Sequence, residues 1–259
     1  MYSDEDSINI LEFDMNKISP GPNFKATTDG CTIVVIGARG TGKSYLVNDI
    51  LYNKSKIVPT AMVFSGTEDT NHHYAKIIPD TFIYNGLDLD RIDDKIKRQK
   101  YARKYLENPF SVMILDDVTD DPKILKKPLF QKIFKEGRHW NLVFMLILQY
   151  GLDIIPQIRK NIDFTFILRE PLPVERKKLF ENYAGIIGDY ALFCDLMDSL
   201  TEDYTALVIH GTAKTNNWQE CVFWYKAKPT PSHFKFGCPE IWDFHHARHN
   251  PDYNDLDEF

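Results

Sequence analysis

The chain has 259 residues, 43% of them hydrophobic and 26% charged, with a formal net charge of −6. That is enough to bury a core without disulfide or metal support, and it excludes a disordered chain or a protein coated with nucleic-acid-binding surface. The four cysteines are scattered, with no Cys-x-x-Cys pair, so neither a metal cluster nor a redox centre is expected and the thiols fit a reducing compartment.

In chain order, the first residues are acidic (Asp4, Glu5, Asp6) where a secretory signal needs a basic and then an apolar stretch. Strand-length apolar runs follow at 32–36, 61–64, 111–115, Leu142–Leu148 and 164–168, with helix-compatible segments between them. The runs are nearly continuous, so each strand is expected to be buried on both faces, as in a parallel sheet with helices on both sides. The longest run, Leu142–Leu148, is far short of the roughly 20 residues a membrane-crossing helix needs. A soluble, intracellular, non-secreted protein with no transmembrane segment is expected.

Residues 81–84 offer a short extra strand, and the charged segment 88–107 favours a helix. Within it, 91–104 carries seven basic residues against Asp93 and Asp94; it reads as the solvated face of a helix or, alternatively, as a phosphate contact. After Pro171 and Pro173, a stripe of Leu179, Tyr183, Ile186 and Ile187 suits a helix. Residues 204–209 and 221–225, rich in β-branched and aromatic residues, read as a hairpin with a long loop. Prolines 229, 231 and 239 then break regular structure ahead of an aromatic, His-containing tail, read as an irregular docking segment from Ile241 onward. The expected organisation is an N-terminal extension (1–23), an α/β domain (24–226) and a C-terminal tail (227–259).

The first strong run leads into Gly37, Ala38, Arg39, Gly40, Thr41, Gly42, Lys43 and Ser44, followed by Tyr45 at the start of a helix-like stretch. A strand, a glycine-rich turn and a helix in that order form a phosphate-binding loop, in which backbone N–H groups and the positive helix end face one anion. Lys43 is placed to reach the β- and γ-phosphates and the Ser44 hydroxyl to ligate Mg²⁺, so ATP and Mg²⁺ are the expected ligands. The third run ends in Asp116 and Asp117, two carboxylates at the edge of an open sheet where a ligand binds. Asp116 is expected to serve the metal and Asp117 to orient or deprotonate a water. The fourth run ends in Gln149, placed to sense the γ-phosphate or hold the water, or else merely to begin a loop.

Arg138 stands before that run, at the opposite end of the strand from Gln149, so it suits a neighbouring subunit's nucleotide better than its own. Its alternative is a surface arginine paired with Glu136 or Asp163. Arg159 is a second trans-acting or sensor candidate. The polar loop 65–74 can face a polymer, and its His72 and His73 read as loop residues before metal ligands.

These residues resemble the genome-packaging ATPases of large nucleocytoplasmic DNA viruses, the poxvirus-type branch of the FtsK-HerA superfamily. The resemblance rests on 37–44, on Phe64, Ser65, Gly66 and Thr67 with 78–80 and 83–86, on Leu115, Asp116 and Asp117, on Gly137, Arg138 and His139, on Gln149, and on 158–163, and so covers about residues 30–170. It implies a P-loop NTPase fold with a small C-terminal β-hairpin element, and a Mg-dependent ATPase that pumps double-stranded DNA into a capsid. It also implies a homo-oligomeric ring, hexamer or pentamer, a capsid or membrane-associated portal partner, and a place in the viral factory or virion. In that picture Arg138 ranks above Arg159 as the trans-acting residue. Many members of the superfamily carry Asp-Glu where this chain has Asp116-Asp117, so the shorter Asp117 has to hold its water from further back. The competing readings are a small-molecule kinase, with 169–178 as a poor lid, and a nucleotide-dependent scaffold or switch. A GTPase is disfavoured because no Asn-Lys-x-Asp string is present.

Overall fold

The computed structural model describes residues 9–248, other than 26, 119–121, 152–153 and 233. The acidic ends and most of the turn at 119–122 lie outside the described residues. Nine strands form one sheet: β1 (Leu11–Glu12), β2 (Cys31–Ile36), β3 (Thr60–Ser65), β4 (Ile83–Asn85), β5 (Ser111–Asp116), β6 (Leu142–Leu148), β7 (Phe164–Ile167), β8 (Thr205–His210) and β9 (Val222–Lys226). Their order is β1-β9-β8-β7-β2-β6-β5-β3-β4. From β7 to β4 neighbouring strands run parallel, with β8 antiparallel to both β7 and β9.

Every residue of β2 and β6 is buried, as continuous apolar runs require of strands covered on both faces. Because side chains alternate, each strand divides its residues between two cores. Val34, Ile36, Phe144 and Leu146 join one core with α3 (Leu89–Tyr105), α4 (Pro128–Glu136), α6 (Pro173–Leu179) and α7 (Tyr190–Leu200), through Ile92, Phe130, Leu179 and Phe193. Ile33, Val35, Met145 and Ile147 face the other core, closed by α1 (Lys43–Lys54) through Leu46, Val47, Ile50 and Leu51, and by segments outside the α-helices carrying Phe13, Ile18, Tyr74, Ile78 and Phe236. The short helices α2 (Glu68–Asn71) and α5 (Pro156–Arg159) sit in loops.

The expected hairpin at 204–225 forms, but it is no separate element: β8 pairs along β7 and so extends the central sheet. The described residues before 24 are built into the same body. Glu12 pairs with Trp224, and the Phe13 ring makes edge contacts with Phe164, Phe166, Phe223 and Tyr225. The tail departs from the irregular segment expected, since α8 spans Pro239–Arg248. Pro239 opens that helix, where its fixed φ and missing N–H cost nothing, and does not break it. The helix docks on the chain itself: the Phe244 ring stacks on Phe82, and the Thr81 hydroxyl shares a 2.7 Å hydrogen bond with His245 Nδ1.

The basic segment 91–104 forms most of α3 and turns Arg91, Lys97, Arg98, Lys100, Arg103 and Lys104 to solvent, whereas Lys95 points inward to the Ser111 hydroxyl. Among the described residues no helix is long and apolar enough to cross a membrane.

Candidate nucleotide site

The phosphate loop leaves β2 at Gly37, whose N–H donates to the Leu148 carbonyl at 3.1 Å, and enters α1 where the Leu46 N–H donates to the Gly42 carbonyl. Gly40 and Gly42 have φ of 81° and 100°, left-handed values that explain glycine at both positions. The Thr41 hydroxyl donates to the Ala38 carbonyl and closes the turn. Lys43 bends back over the loop, its Nζ donating to the carbonyls of Gly37 (2.7 Å) and Ala38 (3.2 Å). Burial lowers its pKa, while Asp117 and Asp116 pull it back up. Ser44 and Tyr45 are exposed on the first turn of α1.

The two carboxylates come from the end of β5, which lies one strand beyond β6 on one side of β2. Asp116 is the last residue of β5, held in register between Ser65 of β3 and Ile147 of β6. Burial pushes its pKa up to about 6; the nearby Asp117 and Glu68 add to this, and the Tyr74 hydrogen bond and Lys43 oppose it. A carboxyl under that strain gains from any cation brought to it. Asp117 turns the chain with a φ of 51°, a left-handed value that aspartate tolerates, and its Oδ2 accepts a 2.7 Å hydrogen bond from Gln149 Nε2 at the end of β6. The sequence-derived set of Lys43, Ser44, Asp116, Asp117 and Gln149 therefore converges on one cleft of about 750 Å³. One hydroxyl and one or two carboxylates around space for phosphate oxygens fit Mg²⁺, which keeps much of its water, better than a metal needing an all-protein cage.

Residues in and behind this cleft carry roles that sequence reading does not assign. The Tyr74 hydroxyl donates to Asp116 Oδ2 at 2.8 Å, and burial with the adjacent carboxylates holds that phenol far above its ordinary pKa. Glu68, buried on α2, accepts the N–H groups of Tyr74 (3.1 Å) and Ala75 (2.8 Å) and so fixes the tyrosine. His73 lines the cleft with its Nε2 enclosed and without a hydrogen-bond partner among the described residues, and burial lowers its pKa. Tyr204, from the turn before β8, also lines the cleft. The loop 65–74 thus folds onto the nucleotide edge of its own sheet.

The two arginines differ. Arg138 lies in a turn over Gly137–Trp140, a strand length of about 20 Å from Gln149. It is half-buried, and its guanidinium makes no ion pair with Glu136, Asp163 or any other described residue. Asp163 instead accepts the Thr32 N–H and the Thr212 hydroxyl. Arg159 spends its donors on the carbonyls of Ile154, Glu181 and Asn182 in its own chain.

No family model matches the chain. It is similar to the uncharacterized protein 088R of Invertebrate iridescent virus 3, at 44% identity over 242 residues, covering 92% of this chain and 93% of that one. It is also similar to the uncharacterized protein 075L of Invertebrate iridescent virus 6, at 43% identity over 255 residues, covering 97% and 99%. Among solved structures, the genome packaging NTPase B204 from Sulfolobus turreted icosahedral virus 2, in complex with ATP-gammaS, superposes with a TM-score of 0.54 at 16% identity, covering 79% of this chain and 99% of that one. By sequence the chain belongs to the family of viral proteins that contains 088R and 075L, and its fold is a P-loop NTPase fold shared with B204.

Proposed function

We propose that the chain is the ATP-hydrolysing subunit of a motor that drives double-stranded viral DNA into a capsid, acting as a homo-oligomeric ring in the viral factory or virion against a capsid or portal component. The observation that carries the reading is the Asp117–Gln149 pair facing Lys43 and Ser44 across the cleft. A carboxylate whose second partner is a side-chain amide is suited to hold a water in line with a γ-phosphate, whereas a phosphotransferase needs an acceptor pocket there.

ATP would seat its phosphates on the N–H groups of 37–44 at the positive end of α1. Lys43, whose Nζ donates to the Gly37 and Ala38 carbonyls, would exchange them for β- and γ-phosphate oxygens. Ser44 and Asp116 would hold Mg²⁺, which neutralises phosphate charge when bound. Tyr74 donates to one carboxyl oxygen of Asp116 and leaves the other for the cleft. Asp117 accepts the proton of the attacking water while Gln149 fixes the carboxylate's direction. Arg138, which forms no ion pair among the described residues and is remote from its own cleft, would stabilise transition-state charge in the next subunit.

ATPase turnover measured with and without double-stranded DNA, at fixed salt, tests the reading. DNA-stimulated hydrolysis supports it. Phosphorylation of a small acceptor without DNA stimulation overturns it in favour of a kinase, and nucleotide binding without turnover in favour of a switch. Mixing Arg138→Ala with Lys43→Ala subunits tests the arginine, since recovered activity requires action between subunits.

A further inference from the structure

We propose that Tyr204 is the platform on which the nucleobase stacks, an inference that rests on the ATP reading above. Three observations lead to it. The first is a backbone that a tyrosine does not choose. The Thr205 N–H donates to the Glu202 carbonyl at 2.9 Å, and the two residues this turn encloses, Asp203 and Tyr204, have φ of 50° and 62°. Two successive positive φ values mark the turn class whose central positions favour asparagine and glycine. A bulky aromatic there is an outlier, and strain of this kind persists where the surrounding fold holds a side chain for use.

The second is where the strain sends the ring. A Cβ on Gly42 would come within 2.7 Å of Tyr204 Cδ1, so the phenol lies directly against the phosphate loop, and only glycine at 42 allows that approach. The residue is nevertheless 58% exposed, borders the cleft, and makes no hydrogen bond to another described residue. A ring packed on one side and open on the other is an unfilled stacking surface.

The third is direction. In the sheet order β8-β7-β2-β6-β5, Asp116, Asp117 and Gln149 come from the ends of β5 and β6, on one side of the phosphate-loop strand. Tyr204 leads into β8, on the other side; because β8 runs antiparallel to β7, its start lies at the same sheet edge as the phosphate loop. A triphosphate with its γ end toward Asp117 and Gln149 must run its nucleoside end the opposite way across the loop, toward Tyr204. Tyr204 borders the cleft on that side.

The test is equilibrium binding of ATP and of inorganic tripolyphosphate to the full chain and to Tyr204→Ala and Tyr204→Phe. Tyr204→Ala is expected to weaken ATP by roughly tenfold to a hundredfold while tripolyphosphate is held as before, and Tyr204→Phe to restore ATP. Equal loss of both ligands would mean that the ring merely braces the loop and would overturn the proposal, as would unchanged ATP binding by Tyr204→Ala. A wild-type chain that binds tripolyphosphate but gains nothing from the nucleoside overturns the platform and leaves the phosphate site standing. One that binds neither overturns the ATP reading itself.

Discussion

The two ends of α1 carry the same side chain in opposite circumstances. Lys43 stands at the N-terminus, where the helix dipole disfavours a cation, and makes two hydrogen bonds to loop carbonyls beside an open cleft. Lys54 stands at the C-terminus, where the dipole favours it, 2% exposed, and donates to the carbonyls of Met15 (3.0 Å), Ile18 (2.6 Å) and Pro20 (3.1 Å). The first is a latch that a better acceptor can open. The second is a clamp that ties the segment before residue 24 to the domain. Lysine–carbonyl chemistry is thus reversible or permanent according to whether a cleft or a core surrounds it.

Breaking the latch should have the largest effect. Lys43→Ala is expected to cut ATP turnover by about a thousandfold and to leave thermal unfolding of the nucleotide-free protein unchanged. A lowered melting temperature would show that Lys43 is also structural. Breaking the clamp should do the reverse: Lys54→Met strands three carbonyls and is expected to cost about 3 kcal/mol by denaturant unfolding, while the folded fraction keeps its ATP affinity. Asp117→Asn should slow turnover by about a hundredfold with ATP still bound, because the latch and loop are untouched; unchanged turnover would remove Asp117 as the base.

Lys95 sharpens the comparison from the other side. It is buried like Lys54, yet one hydroxyl, that of Ser111, is its hydrogen-bond acceptor among the described residues. Burial lowers its pKa to about 8, with Arg98 contributing in the same direction. Below pH 8 both folded and unfolded chains hold this proton, and the folded state bears the full cost of the buried charge. As pH rises from about 8 toward the ordinary lysine value, the unfolded chain keeps the proton longer, so this contribution to stability improves. Lys95→Met is therefore expected to stabilise the protein by on the order of 1 kcal/mol at pH 7, with the advantage shrinking between pH 8 and 10. Urea midpoints of both proteins across that range decide it.

What the sequence discloses follows from how locally each feature is determined. Leu142–Leu148 is a strand over the expected residues because an unbroken apolar run stops abruptly at Asn141, in a left-handed conformation, and at Gln149. The phosphate loop is equally legible, since its geometry is made by its own glycines. Tyr74 is not, because its hydroxyl meets Asp116 only once β3 and β5 have paired, 42 residues apart in sequence. Residues 11–12 offer too little pattern to register as a strand and gain meaning from β9, two hundred residues downstream. Pro239 carries both a breaking and an initiating signal, and the surrounding fold chooses. Tyr204 looks from composition like the beginning of a strand, and nothing in its neighbours announces a positive φ.

The borders of the sheet constrain how copies of this protein can meet. One border strand has two residues and the other three, while the longest strands lie at the centre. Edges this short offer too little free backbone to recruit a strand from another molecule, which guards against runaway polymerisation. Any contact between copies would then fall to side chains on loops and helices, where single residues set the angle of approach. Such joints could be loosened and remade without unravelling either partner's sheet.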